Sequence, residues 1–240
     1  MPKEISINMK LTPEQIDRLY QFTRQHYVEW YDLQTELVDH LANSIEAQWQ
    51  ENPKISFEDA LQVEFKKFGV FGFMDVVEQR QLALNKKYNS IIWKHFKAFF
   101  TIPKVILTSG IIGLTFFLLK NLRFKADVVL IVFGIIFLSF CFSIIYFSRK
   151  NKKISKSTQK KWLFKEIILG RSSLVGMTYL PIQIIIHSEK VMDNPYGIFI
   201  ISFLIVAMAL IEYIILIEVP RKAEDYLKET YPEYALENAN

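Results

Sequence analysis

The stretch ADVVLIVFGIIFLSFCFSIIYFS, residues 126–148, decides the fold. Its only charge, Asp127, stands at one edge. A helix rises about 1.5 Å per residue, so about 20 apolar residues cross a hydrocarbon layer about 30 Å thick. Lipid offers no partner to a bare backbone, so such a segment must satisfy its peptide groups internally, as a helix. Three other stretches read the same way. Residues 102–119 carry Lys104 near one end and are followed by Lys120; residues 195–219 enclose one acid, Glu212. Residues 167–187 are the most polar and include Arg171. The sequence therefore predicts an all-α protein with a bundle of four transmembrane helices over 102–219.

Working outward, the 240 residues are 51% hydrophobic yet 22% charged, so apolar and polar residues must be segregated along the chain. Residues 1–80 hold about 8 basic and about 14 acidic side chains; the rest holds about 21 and about 11. An acidic head precedes a basic, apolar body. The single cysteine, Cys141, excludes an intrachain disulfide and a cysteine-based zinc site. The first ten residues lack the apolar core and cleavage site of a signal peptide.

Lysine and arginine set orientation, because cations are retained on the cytosolic side. About 15 cluster on the approach to the first span, between the second and third, and after the fourth; about four lie on the other side. Both termini are thus expected in the cytosol, with the body in the inner membrane of a bacterial cell. Residues 86–101 form a separate expectation. Ile92, Phe96, Phe99 and Phe100 share one face of a helix, and Lys94 and Lys97 fall elsewhere on the wheel. Trp93 and Phe96 suit the headgroup level, with Lys94 and Lys97 facing anionic lipid.

Polar groups inside the apolar body ask for partners. Ser172, Gly176, Tyr179, Gln183 and His187 step by three or four and form one stripe, expected to face other helices. Pro181 is expected to kink this span. Gly110 and Gly113 are expected to admit a close neighbour. Arg171 and Glu212 each fall roughly 10–12 Å deep. A lone charge there costs about 2.5–3.5 kcal/mol, so an Arg171–Glu212 ion pair is expected.

The head, residues 1–85, reads as three or four helices. Thr12-Pro13-Glu14-Gln15 is a capping box with proline in the first turn. Leu33, Leu37, Leu41, Ile45 and Trp49 mark a second helix, and Asn52-Pro53 breaks it. Ser56 caps a third, which Gly69 stops. A further helix starts near Gly72. The tail, residues 220–240, is expected to place Tyr226, Tyr231 and Tyr234 on the head, with residues 233–240 disordered.

Glu36-Leu-Val-Asp-His40-Leu, a turn, Ser56-Phe-Glu-Asp-Ala60-Leu and a closing Phe68-Gly69 resemble the HAAS-type, or permease-prefix, helical domain. The resemblance covers residues 12–80. It implies a cytosolic interaction or sensory module joined to membrane helices, with a protein partner and no catalytic activity.

His26 with Glu29, and Glu36 with His40, place imidazole and carboxylate on common helix faces. A di-iron bundle needs a second full set of ligands, which is missing. Glu36 and His40 are read instead as a hydrogen-bonded pair, and no metal or cofactor is expected. Four scattered histidines exclude multi-histidine oxygenase boxes, and no GxSxG, P-loop or GxGxxG occurs. The basic run 149–161 is accounted for by topology and lipid, so no nucleic-acid partner is expected. The function expected is a membrane-anchored interaction or signalling module. The alternative is a small transporter or channel subunit using the polar interior of the third and fourth spans. The sequence leaves homo-oligomerisation open.

Overall fold

The computed structural model describes residues 10–158, 160–170 and 189–237. No strand occurs among them. The chain divides into two compact units: Met1–Ala83 with Thr158–Leu163, and Leu84–Ser157 with Phe164–Asn240.

In the first unit the helices begin where the capping residues require. Thr12 accepts the Gln15 N–H, and the Gln15 side chain accepts the Thr12 N–H, starting α1 (Pro13–Gln25). Helix α2 (Tyr31–Glu51) presents Leu33, Leu37, Leu41 and Ile45 to the core. Ser56 accepts the Asp59 N–H and starts α3 (Phe57–Lys66). Gly69 then takes φ +76°, which a side chain would oppose. The buried core is mostly aliphatic, and an aromatic cluster packs beside it: the ring centroid of Phe73 lies 5.0 Å from that of Phe65 and 4.9 Å from that of Phe68.

Segment Thr158–Leu163 belongs to this unit, through two reciprocal caps. Trp30, at the start of α2, supplies no side-chain cap, and the Tyr31 N–H donates to the Lys161 carbonyl at 2.7 Å. In return Asp32 Oδ1 accepts the Leu163 N–H at 3.1 Å, where α7 (Leu163–Gly170) begins. Lys161 also pairs with Glu29 at 2.7 Å, and the Trp162 ring meets Tyr31 edge-on. The sequence had counted Lys160 and Lys161 only as topological charges. A site of nonlocal pairing leaves no local period to read.

Helix α4 (Met74–Ala98) is one continuous helix. The stretch 86–101, expected as a separate juxtamembrane helix, therefore has no start of its own at residue 86. Its residues from Leu84 onward belong to the second unit.

In the second unit, three helical segments are long and apolar enough to cross a membrane: Lys104–Asn121, Lys125–Phe147 and Pro195–Arg221. The first is α5; the second lies in α6 (Lys125–Thr158), which continues through much of the basic run. Glu189–Met192 is a short helix, α8, before α9 (Pro195–Tyr213). Asn194 caps α9 by accepting the Tyr196 N–H at 3.0 Å. Ile214–Glu218 widens into a π turn closed by the Val219 N–H on the Ile214 carbonyl, and Val219–Arg221 completes the segment. The widening sits against Pro220, which lacks an N–H and whose ring would crowd the carbonyl one turn earlier. Leu119, Val129, Phe133, Met192, Ile198 and Ile201 form a buried cluster joining these segments.

The glycines behave differently from expectation. Among the described residues, a Cβ at Gly110 or Gly113 would meet nothing within 4 Å. The close approach is at Gly197, where a Cβ would lie 1.8 Å from the Val191 carbonyl oxygen. The tail is also more ordered than expected. Helices α10 (Ala223–Thr230) and α11 (Pro232–Glu237) bury Leu227, Tyr231 and Tyr234. Tyr231 and Tyr234 have partners within their own unit: Tyr231 accepts the Phe164 N–H at 3.2 Å, and Tyr234 donates to Glu224 at 2.5 Å.

Candidate functional site

The strongest concentration of chemistry lies in the second unit, where the last turns of α4 face α10. On α4, Lys87, Ser90, Lys94 and His95 recur at steps of three, four and one over little more than two turns, a spacing that sets side chains on one helix face. On the other side stand Lys222, Tyr226 and Glu229. Together with Ile91 and Ala98 they line an open cleft of about 560 Å³. That size is ordinary for a small-molecule or headgroup site, roughly 300–1,000 Å³.

His95 is the hub. Its Nε2 lies 2.7 Å from the Tyr226 hydroxyl, and its Nδ1 lies 3.6 Å from Glu218. Glu218 accepts from Lys222 at 3.0 Å, one helical turn on. Burial holds the His95 imidazole below its ordinary value; the Lys222, Lys94 and Lys104 ammoniums push the same way and Glu218 opposes them. The hydrogen bond to Glu218 holds the Lys222 ammonium above its usual range, and burial raises the Tyr226 phenol.

Lysine charge is only partly compensated. Lys87 donates to Thr230 at 3.0 Å and stands 4.0 Å from Glu229; Lys222 is held by Glu218. Among the described residues, no carboxylate lies within ion-pair distance of Lys94. The walls therefore offer ammonium, hydroxyl and imidazole groups, a donor set suited to an anion.

Of the residues singled out from sequence, Trp93 is 55% exposed and stacks on Phe96 with centroids 5.4 Å apart. Lys97 lies over the Trp93 ring, and Lys94 lines the cleft. Arg171 and the stripe Ser172, Gly176, Tyr179, Gln183 and His187 lie outside the described residues, as does Pro181. Glu212 is described: Ser139 of α6 donates a hydrogen bond to its Oε1. A serine inside an apolar run carries no sequence signal of its partner, so this pair was missed.

The four metal candidates are not brought together. His26 packs between the Phe22 and Phe65 rings, its Nδ1 2.8 Å from the Phe22 carbonyl. Glu29 pairs with Lys161, Glu36 stands 3.9 Å from Arg80, and His40 meets the Phe68 edge. The expected Glu36–His40 pair is not formed. Among the described residues, no group of three or more His, Cys, Asp or Glu side chains could hold a metal ion.

The cleft itself was invisible in the sequence. Its two walls are more than a hundred residues apart, and His95 was one of four scattered histidines. Comparison with family models, with curated proteins and with solved structures finds no match.

Proposed function

We propose that this chain is a multi-pass protein of a bacterial inner membrane that carries a cytosolic helical module for protein interaction or signalling. The observation that carries the membrane part is the outward face of the apolar helices. Ile106, Leu107, Leu114 and Phe117 on α5, and Leu138 and Phe142 on α6, are each more than half exposed. Soluble monomers rarely leave contiguous apolar patches beyond a few hundred Å², so lipid is the natural cover. The cation distribution favours cytosolic termini, and residues 167–187 would supply a fourth span.

The interaction role follows from the acidic first unit and its likeness to HAAS-type domains. The carrying experiment has two parts. Full-length protein should resist alkaline extraction from membranes, and a reporter fused to residue 1 should read cytosolic. Cross-linking from native membranes should then recover a specific cytosolic protein through residues 1–85. Recovery of the same proteins by a chain with the first unit removed refutes the interaction role.

One observation favours the transporter alternative: the Ser139–Glu212 pair sets a carboxylate between two apolar helices. Flux into liposomes that disappears with Glu212→Gln would replace the interaction reading.

A further inference from the structure

We propose that the cleft between the end of α4 and α10 binds a phosphomonoester, supplied by the headgroup of an anionic membrane lipid. Four observations converge on it. First, the charge: Lys87, Lys94 and Lys222 line the cleft against two carboxylates, Glu229 of the lining and Glu218, which holds Lys222. Lys94 in particular lacks an ion-pair carboxylate among the described residues, so its charge is available to a ligand. Second, the donors: the Ser90 hydroxyl joins the ammoniums around this space, beside the hydrogen bond that joins His95 to Tyr226. Tetrahedral phosphate oxygens accept from several such groups at once. Third, the volume of about 560 Å³ admits a headgroup with its glycerol.

Fourth, the position. Lys222 follows directly on Pro195–Arg221, and α5 begins at Lys104, shortly after Ala98 closes α4. Both walls therefore lead straight into segments apolar enough to cross a membrane. The stacked Trp93 and Phe96 lie on the same helix as Lys94, and aromatic rings of this kind settle at the headgroup level. Ile91 and Ala98 add an apolar wall for the first acyl carbons. Phosphate chemistry needs only the cleft; the lipid source rests on the membrane reading proposed above.

The test uses the full-length chain in detergent micelles, titrated with short-chain phosphatidic acid, short-chain phosphatidylcholine and inorganic phosphate. Phosphatidic acid should bind and phosphatidylcholine should not. The K94Q/K222Q variant should bind phosphatidic acid about 30-fold more weakly, as removal of two headgroup-facing cations implies. K94R should retain binding, and K120Q/R123Q, whose cations are remote from the cleft, should bind as the wild type. Phosphatidic acid tighter than inorganic phosphate supports the lipid source. Equal or tighter inorganic phosphate overturns that source and leaves a soluble phosphate compound as the ligand. Unchanged binding in a folded K94Q/K222Q chain, or an equal loss in K120Q/R123Q, overturns the site. A chain that partitions into the aqueous phase yet still binds phosphate would refute the membrane reading alone.

Discussion

Two glycines in the apolar helices should respond in opposite ways to alanine, and the pair tests the packing directly. At Gly197 the new Cβ would stand 1.8 Å from the Val191 carbonyl oxygen and 2.6 Å from a Val191 side-chain carbon. An ordinary carbon–oxygen contact is roughly 3.3–3.6 Å, so the turn before α9 must move by more than about 1 Å. That carbonyl also accepts the Asn194 N–H at 3.4 Å, and Asn194 caps α9. Overpacking costs about 1–3 kcal/mol and a lost cap about 1 kcal/mol. The expected destabilisation by Gly197→Ala is therefore about 2–4 kcal/mol. For a chain of this size each kcal/mol lowers the melting temperature by about 2–4 °C. At Gly110 the new methyl meets nothing within 4 Å among the described residues, and helix propensity favours alanine by up to about 1 kcal/mol. Thermal unfolding of both variants in the same detergent decides the matter. A Gly197→Ala chain melting within about 1 °C of the wild type would refute the reasoning. A large loss at Gly110 would show that a second copy covers this face.

Three other expectations follow from particular contacts. Ser139→Ala leaves the Glu212 carboxyl without its donor on α6 and should cost about 1–3 kcal/mol, whereas Glu212→Gln, whose amide oxygen can still accept, should cost less; melting curves in detergent rank the two. Asp32→Ala removes the cap on α7 and should cost about 1 kcal/mol; hydrogen exchange should quicken in residues 163–166 and stay unchanged in α3. His95 binds a proton less readily folded than unfolded, so its contribution is present above its ordinary value near 6.5 and is lost as pH falls through the lower folded value. Melting temperatures followed from pH about 8 to about 5 should fall more steeply for the wild type than for His95→Gln, and parallel curves would exclude His95 as the source.

Much of the architecture is written in local pattern. The run 126–148 needs no tertiary context, because length and apolarity alone demand a helix in lipid or in a core. Thr12, Ser56 and Gly69 mark helix ends through bonds and dihedrals made within a few residues, and the structure places those ends where the residues direct. Pattern also sets Trp93 and Phe96 one turn apart on one helix, where their rings stack. At Gly110 and Gly113 no described residue comes close: glycine permits a close approach but does not create one. The approach fell at Gly197, where the chain folds back at Val191.

What only the tertiary structure decided are contacts between residues far apart in the chain. The Asp32 cap on Leu163, the Ser139 bond to Glu212, and the meeting of His95 with Tyr226 and Glu218 each join segments that no period or motif links. A cap needs an N–H and an acceptor within about 3 Å, and sequence distance says nothing about that separation. Helices are dictated by neighbours along the chain, so the sequence determined them. The cleft lined by Lys94, His95 and Lys222 depends on which helix faces are brought opposite one another, and packing alone set that.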